Sequence, residues 1–493
     1  MKSPDSPAPS PLLLRIGGHP AGRPAMTAGE TTVTYDALAG RIDRLASALA
    51  PDGLGLGGAP VAFLSEPGPG HLATLLGILR AGGLAVPLSP LHTRPELEYL
   101  LENAAPARVL ATAGQRAALE AAAGTRMVED VATLDDGGPL PPLPGASAPA
   151  IMLYTSGTTG RPKGVRLSHA AVTATVASLE GAWRWSADDR LLHVLPLHHT
   201  HGLIVAALGA LWAGAEARFA PPAAEGVWDA LGDVTVFMAV PTIYAKLMEA
   251  FRAAAPERRA RWAACAARLR LFTSGSAALP ASLLEEFRAA TSQTILERYG
   301  MTEIGMGLSN PYDGPRVPGA VGAPLPGVEV DVVGDDGRAV AAGEPGELRV
   351  RSTQMFDGYH GDAAATAASF DAEGRFRTGD TGTRDAGGVF RLLGRTSVDI
   401  IKSAGYKISA LEIEAALREH PAVAEVAVIG VPDSTWGEVV TACVVARAPL
   451  TLDELAAFAR ERLAPYKVPR ALRLLDALPR NAMGKVQKKL LLA

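Results

Sequence analysis

The stretch YTSGTTGRPKGVRLSH, residues 154–169, decides how the rest of the chain is read. Its first eleven positions, 154–164, hold three glycines, four threonine or serine hydroxyls and one lysine. Glycine lets backbone N–H groups close on an anion, hydroxyls donate to it, and Lys163 adds charge, so the composition is that of a phosphate cradle. It is not the P-loop pattern, because Gly164 rather than Ser or Thr follows Lys163 and the glycine spacing differs. The apolar run IMLYT before it predicts a strand, and HAAVTATVASLE after it predicts a helix, which is a phosphate-binding context.

Working outward, the same alternation continues. YDALAGRIDRLASALA (35–50), HLATLLGILRAGG (71–83) and ELEYLLENA (96–104) carry apolar residues at helical spacing, while PVAFLSE (60–66), LAVPLS (84–89) and RVLATA (108–113) read as buried strands. Strand–helix–strand succession predicts α/β architecture with helix-covered, mainly parallel sheets. Residues 320–351 change character: VEVDVVGDDGRAVAAGEPGELRVRS alternates about a DDG turn, which predicts a small antiparallel or barrel-like β unit. After GRTSVDIIKSAGYKIS (394–409) a compact α+β tail follows, with helices in EIEAALREH and LDELAAFARERL and strands in AEVAVIGV and VVTACVVARA. The expected division is a large region 1–394 and a small region 395–493, with the boundary near 395–398.

The bulk numbers exclude several classes. With 47 basic against 51 acidic residues among 493, there is no electrostatic case for nucleic acid or an anionic membrane. Two cysteines far apart, Cys265 and Cys443, argue against a disulfide framework or a cysteine zinc site and fit a reducing cytoplasm. The start, MKSPDSPAPSPLLLRIGG, lacks the apolar core of a signal peptide, and LIVAALGALWAGA (203–215) is too short to span a bilayer and reads as a buried helix. The expectation is a cytoplasmic protein that takes small molecules and has no obligatory protein partner.

Taken together, the ordered motifs resemble the adenylate-forming enzymes: acyl-CoA synthetases, adenylation domains and luciferases. The resemblance covers nearly the whole chain. Residues 154–169 resemble the family's signature loop, so Thr155, Ser156, Gly157, Thr158, Thr159, Gly160 and Lys163 are implied to hold ATP phosphates. YGMTE, that is Tyr299, Gly300, Met301, Thr302 and Glu303, resembles the adenine-and-magnesium motif, with Glu303 implied as the Mg²⁺ ligand. Ser274, Gly275 and Ser276 resemble the turn facing adenine and acyl group, and YHGDAAATAASFDAEGRFRTGD ends in the implied ribose-binding Asp380, with Arg395 beside it.

In the tail, GRTSVDIIKSAGYKISALEIE resembles the hinge motif, although Ser397 stands where relatives often carry Asp or Lys. Gly405, flanked by Ser403 and Lys407, is implied to let the pantetheine arm of coenzyme A approach. PRNAMGKVQKKLL resembles the segment of the catalytic lysine, here Lys485; the plain alternative is one more surface lysine beside Lys488 and Lys489. The family's chemistry has two half-reactions. Carboxylate and Mg-ATP give acyl-adenylate and pyrophosphate, then the small domain turns and a thiol displaces AMP.

One residue asks for a particular substrate. Arg298 directly precedes Tyr299, where relatives that activate apolar acids keep a small residue bordering the acyl pocket. A guanidinium there needs an anion, and its planar fork suits a second carboxylate on the substrate. LPLHHTHGL (195–203) adds His201 beyond the usual histidine, His199, and the resemblance implies that Ser276 faces the same pocket. These features resemble the malonyl-CoA synthetases of the family, so malonate is the expected acid and methylmalonate a related one. The alternatives are another short acid, or an acyl carrier protein in place of CoA.

Overall fold

In the computed structural model the described residues are 8–134, 137–155, 162–396, 398–403, 406–433, 436–480 and 486–492. By packing the chain forms two compact units. The first comprises Met1–Arg316, Pro324–Glu329 and Arg351–Gly374, and the second comprises Val317–Ala323, Val330–Val350 and Arg375–Ala493. The expectation of a large, mainly parallel α/β region followed by a small α+β region is borne out.

In the first unit one sheet runs in the order Gly358–Tyr359, Lys163–Ser168, Pro149–Thr155, Leu84–Pro87, Pro60–Leu64, Arg108–Ala111, Val128–Asp130. The pairs among its last five strands are parallel. Helices Tyr35–Leu49, Pro69–Arg80 and Arg94–Ala104 form where the apolar spacing predicts them. The last of these is started by a Thr93/Glu96 capping box, which satisfies orphan N–H groups at its first turn.

A second sheet places Leu271–Ser274 parallel to both Val236–Ala239 and Leu296–Met301, and then turns back antiparallel through Gly305–Ser309. Its core is aromatic: Trp228, Phe237, Trp262, Phe272 and Phe287 are all buried there. Fully burying one such side chain contributes roughly 1.5–3 kcal/mol, so this cluster fixes the strands whose ends carry the site.

Two local differences from the sequence reading matter. KGVRLS is a strand, Lys163–Ser168, antiparallel to Pro149–Thr155 with Thr155 opposite Lys163. The glycine-rich stretch therefore connects a hairpin rather than leading into a helix N-terminus. The helix His169–Trp183 starts only after the strand, where the Ser168 hydroxyl accepts from Ala171 N–H. Secondly, the expected buried helix at 203–215 begins as a π-helix, His201–Leu208, buried at every residue, and becomes α-helical at Gly209–Ala213. π-Helical turns are rare and concentrate at functional sites.

The four strands Val328–Val333, Gly346–Ser352, Phe376–Arg384 and Phe390–Arg395 form the expected β unit, with its last two pairs antiparallel. Its turn at Asp335–Gly337 is closed by Gly334 N–H donating to Arg338 O at 2.8 Å, with Gly337 at φ +80°. The tail sheet pairs Ile400–Ser403, Tyr406–Ser409, Val423–Asp433, Gly437–Ala446 and Ala471–Leu474 around a core that includes Ile401, Ile413, Val428 and Leu455. The β unit packs with the tail, so compactness divides the chain differently from the expected boundary at 394/395. Among the described residues no helix is long and apolar enough to cross a membrane.

Candidate active site

Strand Leu271–Ser274 ends against the start of Leu296–Met301, with Ser274 opposite Glu297, so Arg298 lies just past the carboxyl end of the shorter strand, and ligands of open α/β sheets bind beyond such ends. Ser276, at φ +68°, stands in the left-handed region that a serine seldom adopts, a strain that clusters at functional sites. Gly275, between Ser274 and Ser276, leaves room for the Arg298 guanidinium. A Cβ there would lie 2.6 Å from Cζ and Nη1 of Arg298 and 2.7 Å from its Nε. The buried hydroxyls of Thr273 and Ser274 have no partner at this strand end.

Arg298 lies on strand Leu296–Met301, opposite Ser309, and is 4% exposed. Its Nε and Nη2 have no hydrogen-bond partner. These two atoms form the side-on fork of a guanidinium, which matches both oxygens of a carboxylate. Burial pushes its pKa down to about 9, which still leaves it charged at neutral pH. His201, the first residue of the π-helix, is also buried, and neither ring nitrogen has a partner. Burial, then the charges of Arg298 and His193, holds its pKa well below the ordinary value, so the imidazole is neutral and offers one N–H. Buried polar atoms are almost always paired. Four orphans on two neighbouring cationic-type side chains mark a place built for an anion.

His199 lies beside His198, with ring centroids 4.1 Å apart, and His198 meets His92 at 5.6 Å. Burial lowers the pKa of His198 to about 2 and that of His199 to about 4, so both are neutral.

Around Glu303 a chain of contacts joins the hairpin to the YGMTE segment. Lys163 Nζ sits 4.9 Å over the Tyr359 ring and 3.9 Å from Asp362, and the Tyr359 hydroxyl donates to Glu303 Oε1 at 3.1 Å. Glu303 is buried, and its carbonyl accepts from Phe356 N–H at 2.9 Å. Gly300 admits no side chain, since a Cβ would be 2.3 Å from Gly305 O. The Thr302 hydroxyl meets that of Thr200 at 2.9 Å, which links this segment to the residue before His201. Thr155 ends strand Pro149–Thr155 opposite Lys163, and Tyr299 and Met301 lie on the strand that bears Arg298. Ser156, Gly157, Thr158, Thr159 and Gly160 lie outside the described residues.

In the second unit Asp380 is opposite Arg395 across antiparallel strands, and Arg395 Nε pairs with Asp380 Oδ1 at 3.0 Å. Arg395 Nη1 also donates to Thr378 O at 2.6 Å, so the carboxylate is held from a fixed direction. Ser403 is buried at the end of Ile400–Ser403, and Lys407 lies in strand Tyr406–Ser409, its side chain outside the described set. Gly405, Ser397 and Lys485 fall outside the described residues. Lys488 does not belong to a surface run: it is buried against Asp399 and Glu414.

Sequence reading missed Tyr359, Thr200 and the partners of Lys488. A tyrosine next to the HGD of 360–362 was the available signal for the first. Among the described residues no group of three or more His, Cys, Asp or Glu could cage a metal. Glu303 suits Mg²⁺ in the other common way, one carboxylate completed by substrate phosphates and water.

Comparison with known proteins adds the following. Residues 15–360 match the model of the AMP-binding enzyme family, and residues 412–485 match the AMP-binding enzyme C-terminal domain. The mitochondrial malonate–CoA ligase of Mus musculus is 42% identical over 485 residues, covering 88% of this chain and 81% of its own. ATP-bound MatB from Rhodopseudomonas palustris superposes with a TM-score of 0.89 at 36% identity, over 98% of each chain. A malonyl-CoA ligase with methylmalonyl-CoA and AMP bound is 40% identical with a TM-score of 0.71, over 96% of this chain and all of the other.

Proposed function

The chain belongs to the AMP-binding enzyme family, and from that premise we propose that it is an ATP-dependent malonate–CoA ligase acting through malonyl-adenylate. The observation that carries the choice of acid is the buried Arg298 fork, unpaired at Nε and Nη2, beside a His201 unpaired at both ring nitrogens. In this reading one malonate carboxylate takes the fork and the His201 N–H. The other carboxylate is held at the strand end near Gly275 and Ser276, where it faces the nucleotide.

The first half-reaction forms a bond from carboxylate oxygen to the α-phosphorus of ATP and breaks the bond to pyrophosphate. Two anions must meet, so positive charge has to develop nothing new but be in place beforehand. Lys485 supplies it at the reacting oxygens, Lys163 and the hairpin connection hold the distal phosphates, and Asp380, oriented by Arg395, accepts from the ribose hydroxyls. Glu303 would hold Mg²⁺, which neutralises phosphate charge when bound. In the second half-reaction the CoA thiolate attacks the acyl carbon, AMP leaves, and the thioester forms, with the arm passing Ser403, Gly405 and Lys407. Methylmalonate fits the same two-carboxylate pattern, and unpaired cysteines suit a cytoplasmic setting.

Pyrophosphate release with C2–C6 mono- and dicarboxylates is the test. Malonate should lead, with methylmalonate next among the acids; a faster reaction with acetate or propionate would overturn the reading. A narrower result is expected from His201→Ala. If His201 and Arg298 grip one carboxylate, their losses in kcat/KM do not add, and a double-mutant cycle reads a coupling of about 0.5–3 kcal/mol. Strict additivity would assign His201 to the core instead.

A further inference from the structure

Lys488 Nζ lies 2.5 Å from Asp399 Oδ1 and 2.6 Å from Glu414 Oε1. Lysine is seldom buried, because an ammonium away from water is costly unless paired and hydrogen-bonded. Burial pulls its pKa down, but Glu414 and Asp399 together outweigh that and raise it, so the group stays charged. Each carboxylate is itself tied to backbone. Asp399 Oδ2 accepts from Arg395 N–H at 3.0 Å, and Glu414, on helix Ala410–Leu417, accepts from Val428 N–H at 2.8 Å. The approach at Asp399 is close enough to require Gly394, where a Cβ would lie 2.4 Å from Asp399 Cβ.

What Lys488 is attached to gives this arrangement its meaning. It stands three residues after Lys485, and three residues of chain span at most about 11 Å. The residues flanking 481–485 are joined to each other: Arg480 bridges antiparallel to Val486, and Gln487 N–H donates to Pro479 O at 2.8 Å. At the other end, Asp399 directly follows 395–398, where the chain is expected to turn.

We propose that Lys488, clamped by Asp399 and Glu414, is a positioning residue for adenylation, tying the tail that carries Lys485 to the residues just after the turning point so that both move as one piece. Nothing in the pair chemistry touches substrate. Its effect is on where the Lys485 ammonium can be when carboxylate meets α-phosphate. The inference rests on the proposed role of Lys485, and its test separates the two.

Lys488→Met keeps length and removes charge. Malonate-dependent ATP–pyrophosphate exchange should fall about tenfold or more, as expected for a displaced catalytic group. Thioester formation from synthetic malonyl-adenylate and CoA should stay within about twofold of wild type, and Lys488→Arg should recover most of the exchange, since it restores the charge. Asp399→Asn leaves Glu414 to hold the ammonium and should show the same split on a smaller scale, which decides the matter if Lys488→Met does not fold. Equal loss in both half-reactions, or unchanged exchange, overturns the positioning role. Absence of malonate-dependent exchange in the wild-type protein overturns the malonate reading instead.

Discussion

Lys485→Ala should nearly abolish malonate-dependent ATP–pyrophosphate exchange while sparing thioester formation from preformed malonyl-adenylate and CoA. In the proposed mechanism the lysine neutralises charge where a carboxylate oxygen meets the α-phosphate, and loss of one such preorganised contact costs ~10²–10³ in rate. Once the adenylate exists, no carboxylate has to be brought against the α-phosphate again. The thiol meets an acyl carbon whose leaving group is already AMP, so the same lysine has nothing to screen. A bulky residue at Gly405 should do the reverse, blocking the pantetheine arm and leaving exchange intact. The two assays on one mutant therefore separate a lysine of one half-reaction from a lysine of the fold. Equal losses in both would point to a structural role.

The second large effect is expected at Arg298. Removing one partner of a buried ion pair costs about 3–5 kcal/mol, and about 1.4 kcal/mol is tenfold. Arg298→Ala should lower kcat/KM for malonate by on the order of a hundredfold or more, with the KM for ATP little changed. Nε and Nη2 have no protein partner, and in the proposed reading the distal carboxylate loses both of these donors in the mutant. Arg298→Lys should recover only part, because a point ammonium cannot present the fork. A mutant that turns over malonate at near-native rates would sink the assignment.

Arg298 was legible from sequence because the adjoining YGMTE fixes its place, and a cation in an otherwise charge-poor segment asks for a partner. His201 was legible for a similar reason, as an extra histidine in a motif of known spacing. The π-helical start at His201 was not, since LIVAALGALWAGA carries no feature that distinguishes an α turn from a π turn. Strand Lys163–Ser168 was hidden because KGVRLS has no clear apolar alternation; it pairs locally with Pro149–Thr155 and, on its other edge, with the distant Gly358–Tyr359. The Tyr359–Glu303 bond depends on the same distant pairing. Lys488 was misread as surface charge because its partners, Asp399 and Glu414, also lie outside its local sequence. For Tyr359 and Lys488 the missing information was which remote segment folds against them.

The Gly275 backbone pressed against the Arg298 guanidinium has a further consequence, for how the substrate range can drift. A pocket that sorts acids by a charge at a set distance, held in place by a main-chain floor, imposes its demand on the ends of the molecule. It asks little of whatever hangs from the carbon between them. Changing one lining side chain can therefore widen the range to 2-substituted malonates while the cation keeps its partner. Moving to a monocarboxylic acid is a different kind of step. The cation would have to go, the glycine would lose its reason, and the vacated volume would need filling, with every intermediate sequence paying for a buried charge that no substrate meets. With Arg298 in its proposed role, descendants of this chain have short paths toward bulkier diacids and a long one toward simple fatty acids.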